Sequence, residues 1–366
     1  MNLSVKTDLW TYLTTVDKPI LMYGMGNGAD KILRVCEAYG IEIADFFASD
    51  GFVRGHSFHG KTVLSYAEAR AKHGDCIVLL SFASSLPDVL ETIHRIASEV
   101  ELYAPDVPVF GDNLFNMEFF REHEAELDDI YKLLADETSR TTFRALIEYK
   151  LSGNIAFLDA CESDETEVTR QFVCPENVKN YVDLGAYNGD TIRKLAPLAP
   201  TLDRVLALEP DRRNFRKLSE YAESVRDHLH ITPLQLAAWD HDETLMMDAS
   251  GNRNANVAGG GKKAVPVEAD ALDHVIGDLA PDFIKYDVEG SEHEALMGSA
   301  ETIRRHAPRL LVSLYHRSED LFALPRLIRQ LYPQSKLYLR KLRYIPAWDI
   351  NLYVVPDGAK GRNENV

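Results

Sequence analysis

Positive charge is in short supply in this chain. Its 366 residues carry 40 Lys and Arg against 57 Asp and Glu, a formal net charge of -17. A nucleic-acid groove or an anionic membrane surface needs a clustered positive field, so neither is expected as the main partner. Cysteine is also sparse. Cys36, Cys76, Cys161 and Cys174 are scattered without a C-x-x-C pair, which argues against a metal knuckle or a disulfide framework and for reduced thiols. No apolar run approaches the roughly 20 residues of a membrane span. Met1 to Pro19 lacks the basic start and apolar core of a signal peptide. A soluble, cytoplasmic protein is the expectation.

What is present has an α/β rhythm, over a length that suits two domains. The most informative stretch is NYVDLGAYNGDT, Asn180 to Thr191. Tyr181-Val182 reads as a strand that delivers the carboxylate of Asp183. Gly185 and Gly189 follow, enclosing Ala186, Tyr187 and Asn188, and Asp190-Thr191 stand where a helix begins. Glycines let the backbone approach a ligand, and a helix start offers unpaired N–H groups. Alone, G-x-x-x-G after a strand also occurs as a packing turn.

Its weight comes from the strand ends that follow. Val205–Leu208 ends in Glu209-Pro210-Asp211, and an acid at the end of the second strand of a doubly wound sheet can grip both ribose hydroxyls. His230–Leu236 leads into Ala237-Ala238-Trp239-Asp240, small residues beside which an adenine can lie flat. Asp282–Tyr286 ends in Asp287-Val288-Glu289-Gly290-Ser291-Glu292. Four successive ends with polar or small residues place a ligand site along the carboxyl edge of a parallel sheet.

In this order VDLGAYNGDT, ALEPD, AAWD and IKYDVEGSEHEALMGS resemble the FkbM-type methyltransferases. The resemblance covers about the second half of the chain, and the last block is its most specific part. It implies a class I methyltransferase sheet, S-adenosylmethionine as cofactor, and O-methylation of a hydroxyl on a sugar, glycan or natural product. Tyr187 departs from the wider superfamily, which has glycine at the middle of this loop, and argues against a dinucleotide pyrophosphate loop. On this reading Asp183 holds the cofactor's amino group, directly or through water, with the Gly185–Gly189 backbone, Asp190 and Thr191 assisting. Glu209 and Pro210 meet the ribose, and Ala238 and Trp239 flank the adenine.

Lys285, Asp287, Glu289 and Glu292 then cluster where the methyl group points. His316, at the end of the strand Arg309–Tyr315, is the candidate base, as a neutral imidazole at pH 7. Each has a plainer alternative. Lys285 can merely neutralise a carboxylate, Glu292 can favour a helix start, Glu289 can cap the N–H groups of its turn, and His316 can be a satisfied histidine. Asp287, Glu289 and His316 are also ligand types for Mg²⁺ or Mn²⁺, which leaves a divalent metal as an open alternative.

The first half repeats the rhythm on a smaller scale. Val5–Leu13 reads as an opening helix. Strand Pro19–Tyr23, the turn Gly24-Met25-Gly26-Asn27-Gly28 and a helix to Tyr39 closed by Gly40 come next. Strand Ile41–Ala48 follows with Asp50 beyond it, then strand Cys76–Phe82, helix Leu86–Ile96 and strand Val107–Phe110. Its glycine turn suggests a nucleotide or nucleotide-sugar site. The preferred alternative is a turn kept for packing, on a domain that docks or forms a homo-oligomer.

Met117–Gly153 reads as one or two connecting helices, and 154–179 as a loop or lid edge. In the second half Ser291–Arg304 and Asp320–Leu331 read as helices, and Lys336–Lys341 with Ile350–Val355 as a closing antiparallel hairpin. Ser250–Lys263 is either a hairpin tip or a loop that closes over substrate. The expected organisation is a Rossmann-like domain at 1–115, a helical connector at 116–178, the methyltransferase domain at 179–357 and a tail at 358–366. The acceptor is a small molecule or carbohydrate. An amine acceptor, or a non-catalytic cofactor-binding scaffold, is the alternative.

Overall fold

The computed structural model describes residues 1–358 apart from 50, 52–54 and 249–263. Asp50, the 250–263 loop and the tail beyond Gly358 therefore lie outside the described residues.

Helix α1 (Leu9–Leu13) is shorter than its apolar stripe, because the Asp8 carboxylate accepts from the Thr11 N–H and starts the helix there. Strand β1 (Ile20–Tyr23) leads to α2 (Asn27–Tyr39), which stops at Gly40 in the left-handed conformation. After β2 (Asp45–Ala48) come β3 (Leu64–Ser65), α3 (Tyr66–His73), β4 (Ile77–Leu80), α4 (Pro87–Glu99) and β5 (Glu101–Tyr103). These strands form one parallel sheet in the order β3-β2-β1-β4-β5. Every residue of β1, β2 and β4 is buried, as a parallel sheet with helices on both faces requires.

Val107–Phe110 is not a strand. The sheet takes Glu101–Tyr103 instead. Pro108 removes a ladder donor from the later segment, and it runs irregularly to the second half of the molecule. There the Phe110 N–H donates to the His316 carbonyl at 2.9 Å.

The connecting region is three helices, α5 (Met117–Glu122), α6 (Glu124–Leu133) and α7 (Glu137–Ser152). Helix α7 is buried at almost every position from Thr142 to Leu151, the mark of a helix enclosed on all sides. The Tyr149 hydroxyl donates to the Ala104 carbonyl at 2.8 Å, and the Leu339 N–H donates to Ser139 Oγ at 2.9 Å. One apolar cluster accordingly runs from Leu21 and Phe47 through Phe143 and Leu146 to Leu310 and Val354. The two sheets share a core through α7.

The second half opens with β6 (Asn180–Leu184), α8 (Asp190–Leu195), β7 (Arg204–Leu208), α9 (Arg212–Val225) and β8 (His230–Leu234). A small side sheet follows, of β9 (Ala237–Trp239), β10 (Glu243–Asp248) and β11 (Ala264–Ala271). Strand β12 (Phe283–Tyr286) then leads into α10 (Glu292–Met297) and α11 (Ala300–His306). The single helix expected over Ser291–Arg304 is broken at Gly298, where an added Cβ would lie 1.9 Å from the Trp239 carbonyl oxygen. Strand β13 (Arg309–Ser313), α12 (Asp320–Leu331), β14 (Ser335–Lys341) and β15 (Ile350–Pro356) complete the chain.

The main sheet has seven strands in the order β8-β7-β6-β12-β13-β15-β14. Only β15 runs antiparallel to its neighbours, and it makes the expected closing hairpin with β14. The order reverses between β6 and β12, so their carboxyl ends open a crevice at the topological switch point.

Candidate active site

Two strand ends are pressed together here by one glycine. Gly185, just beyond β6, has φ +80, and a Cβ on it would stand 1.9 Å from the Asp287 carbonyl oxygen at the end of β12. Tyr187 adopts φ 47, left-handed for a non-glycine residue. That turn aims its N–H at Glu209 Oε2, 2.8 Å away, while Glu209 Oε1 accepts from the Asp211 N–H at 2.9 Å. Glu209 is thus held from both sides at the end of β7. Burial pushes its carboxyl up to about 8, against the pull of these two donors.

A cleft of about 480 Å³ runs from this loop across the sheet edge. Of the expected cofactor residues, Gly185, Tyr187, Asp190, Thr191, Glu209, Pro210 and Ala238 form its wall. Ala186 and Gly189 pack inward, a Cβ on Gly189 meeting the Tyr221 ring at 2.9 Å. Asn188 and Trp239 are not part of the wall, although the Trp239 carbonyl fixes the helix break at Gly298. Asp183 is fully buried behind Lys285. Its Oδ1 takes the Lys285 ammonium at 3.3 Å and its Oδ2 has no hydrogen-bond partner. Burial raises it to about 6, with Lys285 opposing. Asp183 does not line the cleft, and it anchors Lys285.

Lys285, Asp287 and Glu289 reach the cleft. Lys285 also donates to the Gly185 carbonyl at 3.2 Å and lies 3.4 Å from Asp287 Oδ2. Burial works against its charge, but Asp183 and Asp287 outweigh it and hold the ammonium well above its ordinary value. Lys285 is therefore a fixed cation and not a proton acceptor. Asp287 accepts from Ser313 Oγ and from the Tyr315 hydroxyl, each at 3.0 Å. Burial would raise it, yet Lys285, His316 and the two hydroxyls keep it below the usual carboxylate range. Burial raises Glu289, with His316 opposing.

His316 and Glu292 depart most from expectation. Neither is in the cleft wall, and His316 is wholly buried. Glu292, not Glu289, caps the turn, accepting from the Val288 N–H at 2.9 Å and from Gly290 at 3.5 Å. His316 Nδ1 is 2.9 Å from Glu292 Oε1, and Nε2 is 3.4 Å from Glu289 and 3.7 Å from Asp287. None of these approaches is aligned as a hydrogen bond. Burial disfavours the charged ring, but Glu292 and Glu289 overcome it and raise the imidazole well above its ordinary value. These carboxylates favour the protonated ring over the neutral base expected, and the ring does not line the cleft. Its burial comes from the first half of the chain: the Phe110 ring lies 5.9 Å from it and fills the space beside Gly290. The trio that brings ligand-type atoms within 4.8 Å of one another is Asp287, Glu292 and His316, with Glu292 in the place expected of Glu289.

The cleft also has a wall that sequence reasoning missed. Tyr315, Tyr344 and Trp348 line it, with ring centroids 6.4 Å apart for Tyr315–Trp348 and 5.8 Å for Tyr344–Trp348. Asp349 follows at φ 56, its carboxyl raised by burial to about 6. Ser85, Val109 and Glu165 come from outside the main sheet, Glu165 from the segment expected as a loop or lid edge. The run Tyr344-Ile-Pro-Ala-Trp-Asp349, aromatic and acidic between hairpin strands, was the available signal. Among the described residues six non-glycines have positive φ, and three of them, Tyr187, Glu289 and Asp349, stand on this one cleft. Strain of that kind costs about 1–3 kcal/mol per residue and gathers at functional sites.

A seven-stranded sheet of this order, with an antiparallel strand inserted near the edge and its acidic end on the crevice, defines a class I methyltransferase fold. Residues 183–345 match the model of the methyltransferase FkbM domain. Among solved structures, the methyltransferase FkbM from Methylobacillus flagellatus KT aligns over 92% of this chain and 90% of its own, with TM-score 0.69 and 21% identity. The likeness shows a shared fold. An rRNA methylase from Streptococcus thermophilus aligns over 53% of this chain and 98% of its own, at 14% identity and TM-score 0.37, too low to carry weight. No curated protein matches the chain. Family and fold together support a methyltransferase activity.

Proposed function

We propose that the protein is an S-adenosylmethionine-dependent methyltransferase that acts on a hydroxyl of a sugar or related small molecule. The observation that carries the reading is Glu209, braced by two N–H groups at the end of β7 and facing the same cleft as Asp287 and Glu289. Its remaining lone pairs suit a ribose diol, and Pro210 with Ala238 leaves a smooth wall suited to a purine. The bound cofactor would supply a sulfonium methyl group. The chain's own task is to hold an acceptor in line with it, which can contribute about 7–11 kcal/mol.

Glu289, and not His316, is the proton acceptor in this reading. It reaches the cleft, its affinity for a proton is raised by burial, and a positioned base contributes about 10²–10⁴-fold. Asp287, kept ionised by Lys285 and two hydroxyl donors, orients the acceptor. Calorimetry with S-adenosylhomocysteine tests the cofactor half of the proposal, and absence of heat would remove it. Transfer of labelled methyl to a panel of hydroxyl and amine compounds tests the rest. An N-methylated product would favour the amine alternative, which the acidic cleft wall also accommodates, and cofactor binding without any transfer would favour a scaffold.

A further inference from the structure

We infer that the end of the cleft bounded by Tyr344, Trp348 and Asp349 is an acceptor subsite for a ring-shaped polyol without negative charge, and that it prefers an amino-substituted ring. The inference rests on the methyltransferase reading and adds the acceptor's chemical class.

Charge comes first. Glu165, Asp190, Asp211, Asp287, Glu289 and Asp349 face the cleft, against only Lys194 and Lys285 as cations in its described wall. Both cations are committed. Lys194 pairs with Glu165 at 2.9 Å, and Lys285 lies between Asp183 and Asp287 at 3.3 and 3.4 Å. A phosphate or uronate entering here would find carboxylates and no free partner, and an unpaired buried charge is strongly disfavoured.

Shape comes second. Tyr344 and Trp348 lie with their planes 30° apart, and Trp348 and Tyr315 with theirs 24° apart. These roughly aligned rings form an apolar face along one side of the cleft. Such a face packs against the C–H side of a sugar ring, and a nearby ammonium gains from the ring quadrupole. Directly after Trp348, Asp349 turns into the left-handed region at φ 56 and borders the cleft. Among the described residues its carboxylate makes no hydrogen bond or ion pair. It is an open acceptor for an ammonium or for a pair of hydroxyls.

Position comes third. Trp348 and Asp349 lie beyond the family-matched segment 183–345, and Ser85 and Val109, which share the cleft wall, lie before it. The acceptor end thus combines Tyr315 and Tyr344 from within the matched segment with residues outside it, where specificity can vary without disturbing the cofactor loop.

The test uses matched triplets of methyl hexosides: neutral, 2-amino, and 6-phosphate or uronate. Methyl transfer is measured on each with the full chain, after S-adenosylhomocysteine binding has been established by calorimetry. Transfer to the neutral and amino members at least tenfold faster than to the anionic ones is the expected result. Asp349→Asn is expected to erase the amino preference, seen in KM rather than kcat. Asp349→Gly removes the same charge at a backbone position suited to glycine, should the first variant fold poorly. Trp348→Ala is expected to raise KM at least tenfold and Trp348→Phe to restore it, with S-adenosylhomocysteine affinity within twofold throughout. If S-adenosylhomocysteine binds but transfer goes fastest to the anionic members, or to none, the subsite is wrong while the cofactor reading stands. If S-adenosylhomocysteine does not bind, both fall.

Discussion

The chain contains two glycine turns in nearly the same architectural place, each following the first strand of its sheet in chain order, and their surroundings differ. In the first sheet a Cβ on Gly24 would meet Ser81 Oγ at 2.6 Å and one on Gly28 would meet the Ser81 carbonyl oxygen at 2.1 Å. The end of β4 is packed into that turn. In the second, Gly185 also presses on a neighbouring strand end, but Tyr187 turns its N–H outward to brace Glu209 beside a cleft of about 480 Å³. Beyond the first turn, Lys31 of α2 donates to the carbonyls of Pro108 and Val109, and Val109 is part of the cleft wall. The first sheet therefore shapes the second sheet's site. The turns differ in what lies beside them: a strand end packs against Gly24 and Gly28, whereas the Gly185 and Tyr187 turn borders a cleft.

The sharpest way to break this comparison is to attack the acceptor end of the cleft. Glu289→Gln is expected to lower kcat by about 10²–10⁴-fold with little change in cofactor affinity; an unaltered kcat would return the search for a base to other groups. Because Glu289 is raised by burial, the acid limb of the wild-type rate profile is expected above the usual carboxylate range, activity rising with pH as the group ionises. At the cofactor end, Glu209→Ala removes a carboxyl group whose hydrogen bonds to a ribose are worth about 1.5–3 kcal/mol each when it is ionised, and because burial raises it to about 8 the loss is expected to be largest above that pH. S-adenosylhomocysteine affinity is expected to fall on the order of 10- to 150-fold for each bond lost. The matching test on the first sheet is a titration with nucleotides and nucleotide-sugars, for which no thermal shift is expected. A clear shift that survives Glu209→Ala would restore the first turn as a ligand site.

His316 gives a smaller effect with a definite sign. Its folded-state value is raised above that of a free imidazole, so its contribution to stability is fully present below about 6.5 and is lost as pH rises through the folded value. The difference in Tm between wild type and His316→Gln is expected to be largest near pH 6 and to shrink towards pH 9. A difference that grew with pH would mean that the ring is neutral.

The strand ends of the second half were legible in the sequence because strand–turn–helix punctuation is local. Val182, Leu206 and Ile284 announce buried strands, and Gly185, Glu209 and Asp287 mark where they stop. What the sequence did not show depends on contacts between distant segments. Val107–Phe110 has the apolar look of a strand, but its place in the sheet was taken by Glu101–Tyr103, and Phe110 packs on Gly290 instead. The exchange of roles between Glu289 and Glu292 follows from Glu289 taking φ 55, which sends the nearer carboxylate towards the cleft and leaves the farther one to cap the turn. Period and composition carry no trace of that. His316 looked like a base because it follows a strand, and only the Phe110 ring and the surrounding carboxylates bury it and favour its protonated form.

Metal removal is expected to have the smallest effect. Asp287, Glu292 and His316 can bring ligand atoms within 4.8 Å of one another, so a divalent ion is geometrically conceivable. Its place is contested by charges already fixed there. His316 sits between Glu292 and Glu289, which favour its protonated form, and Lys285 lies 3.4 Å from Asp287. A metal would have to displace the imidazole proton and compete with that ammonium for the same carboxylate, which disfavours binding near neutral pH. Exhaustive chelation is therefore expected to leave turnover within twofold. Loss of activity restored by added Mg²⁺ or Mn²⁺ would instead show that the carboxylates around His316 are arranged for an ion, and would tie the burial imposed by Phe110 to metal retention rather than to the imidazolium.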